Sequence, residues 1–367
     1  MNLTAGGMSG GYRSYLRHLL PLLAERSEVT AMRALVPPAG AADLGGPADL
    51  VRAWPITDQR DPSRWIRAEL EDFRPDVVFV PTARRFRFRD VPTVVMVRNM
   101  EPLLCPARGN PPLEALRNLA RREVARRACQ GADRIVAVSD FVREFLVDRW
   151  RLPAERVGVV RHGVNHDFPP ETLVPPPALR DLADGQWLFT AGSIRPARGL
   201  EDALGALALL AQRGPRLTLA IAGEPDPATR GFAARLRHRV RSMGLEDQVR
   251  WLGRLSATEM GWCFRHAGAF VMTSRAEACP NTVLEAMAHG AVAISTSQPP
   301  MPEFFADTAS YYPPRDVAAL ARAIEAAWEL PPDARAERRA AAMRRARTFT
   351  WPGTAEATVA ELRRAIA

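Results

Sequence analysis

Ala269-Phe-Val-Met-Thr-Ser-Arg-Ala-Glu277-Ala-Cys-Pro-Asn-Thr-Val-Leu-Glu285-Ala-Met-Ala-His-Gly290 is the stretch that decides the fold. Its first four residues are an apolar run that reads as a buried strand. Asn281 or Thr282 then reads as a helix N-cap and Gly290 as the stop. Glu277 therefore stands in the loop at the strand's carboxyl end, and Glu285 in the first turns of the helix. Backbone N–H groups left free at a helix start suit anions and hydroxyls. Ligands of open parallel sheets bind at strand carboxyl ends. Two carboxylates placed there can accept hydrogen bonds from sugar hydroxyls. A capped helix whose acidic residues answer its dipole would show the same pattern.

The same rhythm extends in both directions. Trp187–Ala191, Leu217–Ile221, Val249–Leu252 and Ala291–Ile294 are further apolar runs, each followed by helical spacing. Upstream, Asp76–Val80, Thr93–Val97 and Arg134–Val138 alternate with helical stretches at Pro112–Ala128 and Asp140–Trp150. Strands apolar on both faces, alternating with helices, predict α/β architecture with parallel sheets covered on both sides. A length of 367 residues suits two domains. Pro169, Pro170, Pro175, Pro176 and Pro177 form a stiff connector between them. The expected division is a Rossmann-like domain over 1–168, a linker over 169–185, a second Rossmann-like domain over 186–347, and a terminal helix over 348–367.

Composition narrows the chemistry. The chain has a net charge of +9 and no lysine, all 50 basic residues being arginine. This excludes a Schiff-base lysine, a P-loop lysine and a protein-kinase lysine. So uniform a bias toward arginine makes bulk basicity weak evidence for nucleic acid, and no nucleic-acid partner is expected. Cys105, Cys129, Cys263 and Cys279 are scattered without metal-site spacing and read as reduced structural thiols. No run of ~18 apolar residues predicts a membrane span, and no secretory signal is visible. The expected location is cytoplasmic, with peripheral contact at the inner face of the membrane as an option.

Other segments offer chemistry more weakly. Ala191-Gly192-Ser-Ile-Arg195-Pro-Ala-Arg198-Gly199 is a strand, a glycine turn and two arginines ahead of a helix, and guanidinium groups suit phosphate oxygens. A surface loop in an arginine-rich protein would look alike. Gly6, Gly7, Gly10 and Gly11 precede a helical pattern and permit close backbone approach to a ligand. Arg84-Arg85-Phe86-Arg87-Phe88-Arg89 follows an upstream strand and would suit an anionic acceptor or membrane, or stand as a solvated loop. Arg117, Arg121, Arg122, Arg126 and Arg127 read as a solvent face of a helix. His162, His166 and His289 form no metal cluster.

Together these residues resemble the retaining glycosyltransferases of family 4, the group 1 glycosyltransferases, whose fold is GT-B: two Rossmann-like doubly wound domains facing a cleft. Ala132-Asp-Arg-Ile-Val-Ala-Val-Ser139 is similar to the family's ADRVIAVS, and Val159-Val-Arg-His-Gly-Val-Asn165 to its VVPNGVD. Glu277 and Glu285, with Glu285-Ala-Met-Ala-His-Gly290, match its paired glutamates and EAMA segment. Phe349-Thr-Trp351 resembles the FSW that opens a closing helix returning to the first domain. The resemblance implies a nucleotide-sugar donor and no metal or other cofactor. Glu285 would accept from ribose hydroxyls. Glu277 and the backbone of Ala278, Cys279, Pro280, Asn281 and Thr282 would hold the donor sugar. Arg198, at the family's usual lysine, would hold the diphosphate, and Arg254 would line the base pocket. Gly6–Gly11 would approach the diphosphate and acceptor, and Arg85 and Arg87 the acceptor.

Two departures stand out. Ser193 follows Gly192 where the family often has arginine, so Arg195 is the substitute. Arg98-Asn99 replaces the family's His-Asp on the acceptor or sugar side, and no catalytic base is evident. The expected activity is retaining hexosyl transfer to a glycan, lipid-linked or secondary-metabolite acceptor. The alternatives are a GT-B sugar-nucleotide epimerase or a non-catalytic membrane- or RNA-binding relative; a pyridoxal-type phosphorylase is excluded by the absence of lysine. Only Met1–Ala5 precede the first glycines, less than a usual strand of ~5–6 residues with β character. A translation start upstream of Met1 is the expectation that follows.

Overall fold

The computed structural model describes residues 1, 10–44, 50–54, 63–105, 107, 109–213 and 216–367, and divides into two compact units. Unit 1 holds Met1–Asn99, Ala120–Gly163 and Phe349–Ala367; unit 2 holds Met100–Leu119 and Val164–Thr348. The closing segment thus belongs with the first unit. The sequence boundary had placed 100–119 in the first domain, but side chains from the second reach this segment. Arg195 bonds Glu101, and the Pro196 ring packs on Gly109.

Unit 1 contains strands β1 (Ala34–Val36), β2 (Val51–Ala53), β3 (Val78–Val80), β4 (Thr93–Val97), β5 (Arg134–Ala137) and β6 (Val157–Val159). All their pairings are parallel, in a two-stranded sheet β1-β2 and a four-stranded sheet β3-β4-β5-β6. Residues of β3 and β1 line a solvent-open recess of about 430 Å³ with Met1, Leu70, Val359 and Ile366. Helix Trp351–Ile366 packs on helix Gly10–Ala24 and on this sheet. Thr350 caps it, its Oγ1 accepting from Gly353 N at 3.1 Å. Glu361, only 3% exposed, takes two hydrogen bonds from Arg134 at 2.6 and 2.8 Å. Its carboxylate fills the space beside Gly158, where an added Cβ would lie 2.1 Å from Cδ.

Unit 2 contains β7 (Trp187–Ala191), β8 (Thr218–Ala222), β9 (Val249–Gly253), β10 (Ala269–Met272), β11 (Ala293–Thr296) and β12 (Ala309–Tyr312). Their order is β12-β11-β10-β7-β8-β9, all parallel. The chain winds one way from β7 to β9 and the other way from β10 to β12. The switch point falls between the neighbours β7 and β10, where such sheets open a binding crevice at their carboxyl ends. Every residue of β7 and β10 is buried, which is why both read as unbroken apolar runs. Leu188, Ile221, Val271 and Ile294 meet Leu204, Leu207, Leu320 and Ile324 in the core. Helices Leu200–Ala211 and Val317–Trp328 approach closely because Gly205 leaves room: an added Cβ would lie 2.9 Å from Val317 Cγ1.

The long apolar runs became strands as expected. The sequence reading missed β1, β2, β6 and β12. Among the described residues, no helix is long and apolar enough to cross a membrane.

Candidate donor-binding site

The loops after β7 and β10 meet at the switch point of unit 2. After β7 the chain turns at Gly192, with φ +136°, a conformation that a side chain rarely adopts. Gly192 is required for a second reason. The Arg198 guanidinium lies over its Cα, and an added Cβ would stand 2.7 Å from Arg198 Cζ. A short turn, Pro196–Arg198, and Gly199 at φ +63° then start helix Leu200–Ala211.

The two loops are laced together by backbone and side chains. Arg275 N donates to Ala197 O at 2.7 Å, and Thr273 Oγ1 to Arg198 O at 2.6 Å. Arg275 also donates to Asp202 Oδ1 at 3.0 Å, tying the β10 loop to the helix after β7. Across this junction Arg198 Nη1 donates to Glu277 Oε1 and, at 3.3 Å, to Ser274 Oγ. Glu277 is 14% and Arg198 22% exposed at the side chain, so the pair is shielded but reachable. Arg195 lies beside them, donating to Glu101 Oε2 at 2.7 Å and to Asp226 Oδ2. Burial pulls Arg195 down, but Glu101 and then Asp226 outweigh it and hold the guanidinium above its ordinary range.

The helix after Glu277 spans Asn281–Ala288, with Pro280 at the N-cap and no side-chain cap. This corrects the cap expected at Asn281 or Thr282. Proline supplies no side-chain acceptor. Thr282 Oγ1 is buried at this end without a hydrogen-bond partner among the described residues. Gly290 at φ +68° stops the helix, as read from sequence. Glu285 lies in the second turn, and burial pushes its carboxyl up to about 7. His289 is pushed down to about 4, by burial and then by Arg265. Its ring packs tilted against Phe168, centroids 3.8 Å apart, a structural role.

The adjoining loops thus bring together Gly192, Arg195, Arg198 and Glu277, with Ala278, Cys279 and Pro280 following in the second loop and Asn281, Thr282 and Glu285 in the helix that it opens. Arg254 stands apart. It follows β9, two strands from β7, with an 81% exposed side chain 3.9 Å from Glu224. In unit 1, Gly6 and Gly7 lie outside the described residues, whereas Gly10 and Gly11 are the exposed opening of helix Gly10–Ala24. Arg87 donates to Gly131 O, the last residue of helix Pro112–Gly131, at 3.4 Å, and Arg89 pairs with Glu71 at 2.9 Å. Arg85 Nε also lies near Gly131. These arginines therefore serve a helix end and an ion pair. Arg98 packs over Tyr12, and Asn99 is exposed.

The sequence reading missed Glu101, Asp226, Ser274 and Arg275. Arg275 had a local signal, an arginine two residues before Glu277, but its partners lie over 70 residues away.

A family model described as Glycosyltransferase Family 4 matches residues 9–168, and one described as Glycosyl transferases group 1 matches 181–348. D-inositol 3-phosphate glycosyltransferase of Kineococcus radiotolerans is 28% identical over 300 residues, covering 76% of this chain and 67% of that protein. Mannosylfructose-phosphate synthase of Agrobacterium fabrum is 27% identical over 46% of this chain and 38% of its own length. Among solved structures, Anabaena HepE in complex with UDP superposes with TM-score 0.72 at 18% identity, covering 98% of this chain and 97% of that one. A glycosyltransferase from Rickettsia africae reaches TM-score 0.73 at 15% identity, over 100% of this chain and 97% of its own. The chain belongs to the group 1, family 4 glycosyltransferases and has the GT-B fold.

Proposed function

We propose that the protein transfers a hexose, with retention of anomeric configuration and without a metal, from a nucleotide-sugar donor to a glycan, lipid-linked or secondary-metabolite acceptor. The observation that carries this reading is the Arg198–Glu277 pair over Gly192 at the switch point. It sets a phosphate-binding cation beside a hydroxyl-binding carboxylate. Arg198 holds the diphosphate and stabilises the charge that grows on it as the bond to C1 breaks. Glu277 and the amino end of helix Asn281–Ala288 hold the sugar, and Glu285 accepts from the ribose. The acceptor hydroxyl attacks C1 on the face from which the diphosphate departs. The C1–oxygen bond to the acceptor forms, the bond to the diphosphate breaks, and the hydroxyl proton passes to a departing phosphate oxygen. The neighbour solved with UDP makes a uridine nucleotide the first donor to test. A cytoplasmic setting, with peripheral membrane contact, belongs to the same proposal.

The test is a thermal-shift screen against UDP, GDP, ADP and TDP and their sugars, followed by product analysis with anomeric assignment. One nucleotide series should raise Tm and yield an α-linked product from an α-linked donor. If no nucleotide binds, the reading fails.

A further inference from the structure

Helix Arg230–Ser242 of unit 2 lies between β8 and β9 and buries Phe232, Ala233, Leu236 and Val240. Helical periodicity turns the residues between them outward. Arg230, Arg235, Arg237, His238, Arg239 and Arg241 are all exposed there. The helix holds five arginines and no acidic residue. None of the five forms an ion pair among the described residues. Arg235 lies 5.8 Å from the Phe232 ring centroid and Arg237 5.3 Å from that of Trp251, contacts that leave the N–H edges of a guanidinium free.

Arginine-rich composition alone does not produce this pattern. Helix Pro112–Gly131 sets Glu114 beside Arg117 and Glu123 beside Arg127, and helix Pro332–Ala346 sets Glu337 beside Arg344. The basic segment Arg84–Arg89 is engaged too, Arg87 with Gly131 O and Arg89 with Glu71. In helix Arg230–Ser242 the arginines meet one another instead. Arg235 and Arg239 stand one turn apart, as do Arg237 and Arg241. Like charges at that spacing destabilise a helix. The helix dipole favours Arg239 and Arg241 in the last turn but opposes Arg230 at the amino end. Folding therefore explains two of the five, and the whole face gains when an anionic surface covers it.

We infer that the outward face of helix Arg230–Ser242 docks on an anionic lipid leaflet. This rests on the peripheral membrane contact proposed above and gives that contact a place in the fold. The charge is spread along a helix about 20 Å long, which suits a field of headgroups. The outward face carries no Phe, Tyr or Trp, since Phe232 is buried and Trp251 lies under Arg237. Nucleic-acid bases therefore find no ring to stack on. Between the arginines stand the exposed Gly231 and Ala234, so no large apolar side chain enters the bilayer and the attachment is electrostatic and salt-labile. Asp226, which Arg195 holds at the donor site, leads into this helix within the same unit.

The experiment uses the full chain, a helix variant (R230Q, R235Q, R237Q, R239Q and R241Q together), the same five positions changed to lysine, and a control variant (R84Q, R85Q, R87Q and R89Q). Each is sedimented with vesicles of phosphatidylcholine alone and of equal parts phosphatidylcholine and phosphatidylglycerol, at about 0.05 M and about 0.5 M salt. At low salt the parent and the control should bind the anionic vesicles at least tenfold more tightly than the neutral ones, and high salt should release them. The glutamine variant should lose the preference and the lysine variant keep it, because the attraction is charge at a surface. The glutamine variant should melt no lower than the parent, since it sheds like-charge neighbours, so lost binding will not reflect unfolding. The inference is overturned by anionic-vesicle binding that survives the glutamine variant, by a control that loses binding as fully, by binding that persists at high salt, or by tighter binding to a duplex oligonucleotide at equal phosphate concentration. Failure of the parent to bind anionic vesicles overturns the membrane contact as well. Vesicle binding by a parent that takes up no nucleotide would instead overturn the transfer reading alone.

Discussion

Replacing Glu285 by glutamine should stabilise the unliganded protein at high pH while weakening its grip on the donor. Burial raises the carboxyl from 4.5 to about 7, so the folded state holds this proton more tightly than the unfolded chain does. Below pH ~4.5 both states are protonated and the residue contributes no pH dependence. Between 4.5 and 7 the unfolded chain releases the proton and the folded one keeps it, so stability falls as pH rises, by about 1.4 kcal/mol per pH unit. Above 7 the folded protein carries a buried carboxylate, and the accumulated loss is about 3 kcal/mol. Glutamine has the same shape and no charge to bury. The stability difference between Glu285→Gln and the parent should therefore be near zero at pH 4.5 and approach about 3 kcal/mol in favour of glutamine at pH 8. Hydrogen exchange of the β7 and β10 amides, corrected for intrinsic rates, reads this locally in unit 2. Nucleotide-sugar binding should move the other way. Losing charge-assisted bonds to the ribose weakens affinity by roughly 1–3 kcal/mol, measurable by calorimetry. A parallel pH profile for the two proteins would refute the burial argument, and unchanged donor affinity would remove Glu285 from the site.

Three further outcomes can be checked. Arg198→Ala should lose kcat far more than Tm, because its part is played as charge develops on the leaving diphosphate; if kcat survives, the phosphate role passes to Arg195. Gly192→Ala places a Cβ 2.7 Å from Arg198 Cζ at a φ of +136°, so it should lower Tm, by about 1–3 kcal/mol of strain, and displace the guanidinium from donor binding. Glu361→Gln breaks a buried pair with Arg134 and should destabilise unit 1 by roughly 3–5 kcal/mol in urea unfolding while leaving nucleotide binding by unit 2 intact.

How far the sequence could be read depended on where each element's partners lie. β4 and β7 were legible because full burial on both faces writes itself as an unbroken apolar run. β12, Ala309-Ser-Tyr-Tyr312, sits at the edge of its sheet, and its first three residues are only partly buried, so its pattern is mixed. β6 carries Gly158, which a local reading counts against a strand. The glycine is there because Glu361, some 200 residues later, occupies the space a side chain would need. The paired glutamates of the site were visible from their spacing along one loop and helix. The partners of Arg195 and Arg198 were not, since Glu101 and Glu277 lie 94 and 79 residues away. The first arginine reads in sequence as a free phosphate ligand and in the fold is bracketed by two acids. The second reads in sequence as a phosphate ligand and in the fold is paired with Glu277.

The recess lined by β1 and β3 has a dynamic consequence. Across a recess that solvent already enters, apolar side chains forgo contacts, and segments with few buried contacts open first in native-state fluctuations. Unit 1, with a recess of about 430 Å³ bordered by Leu70, Val78, Val359 and the exposed Ile366, is therefore expected to exchange its β1 and β3 amides before unit 2 exchanges those of its six-stranded sheet.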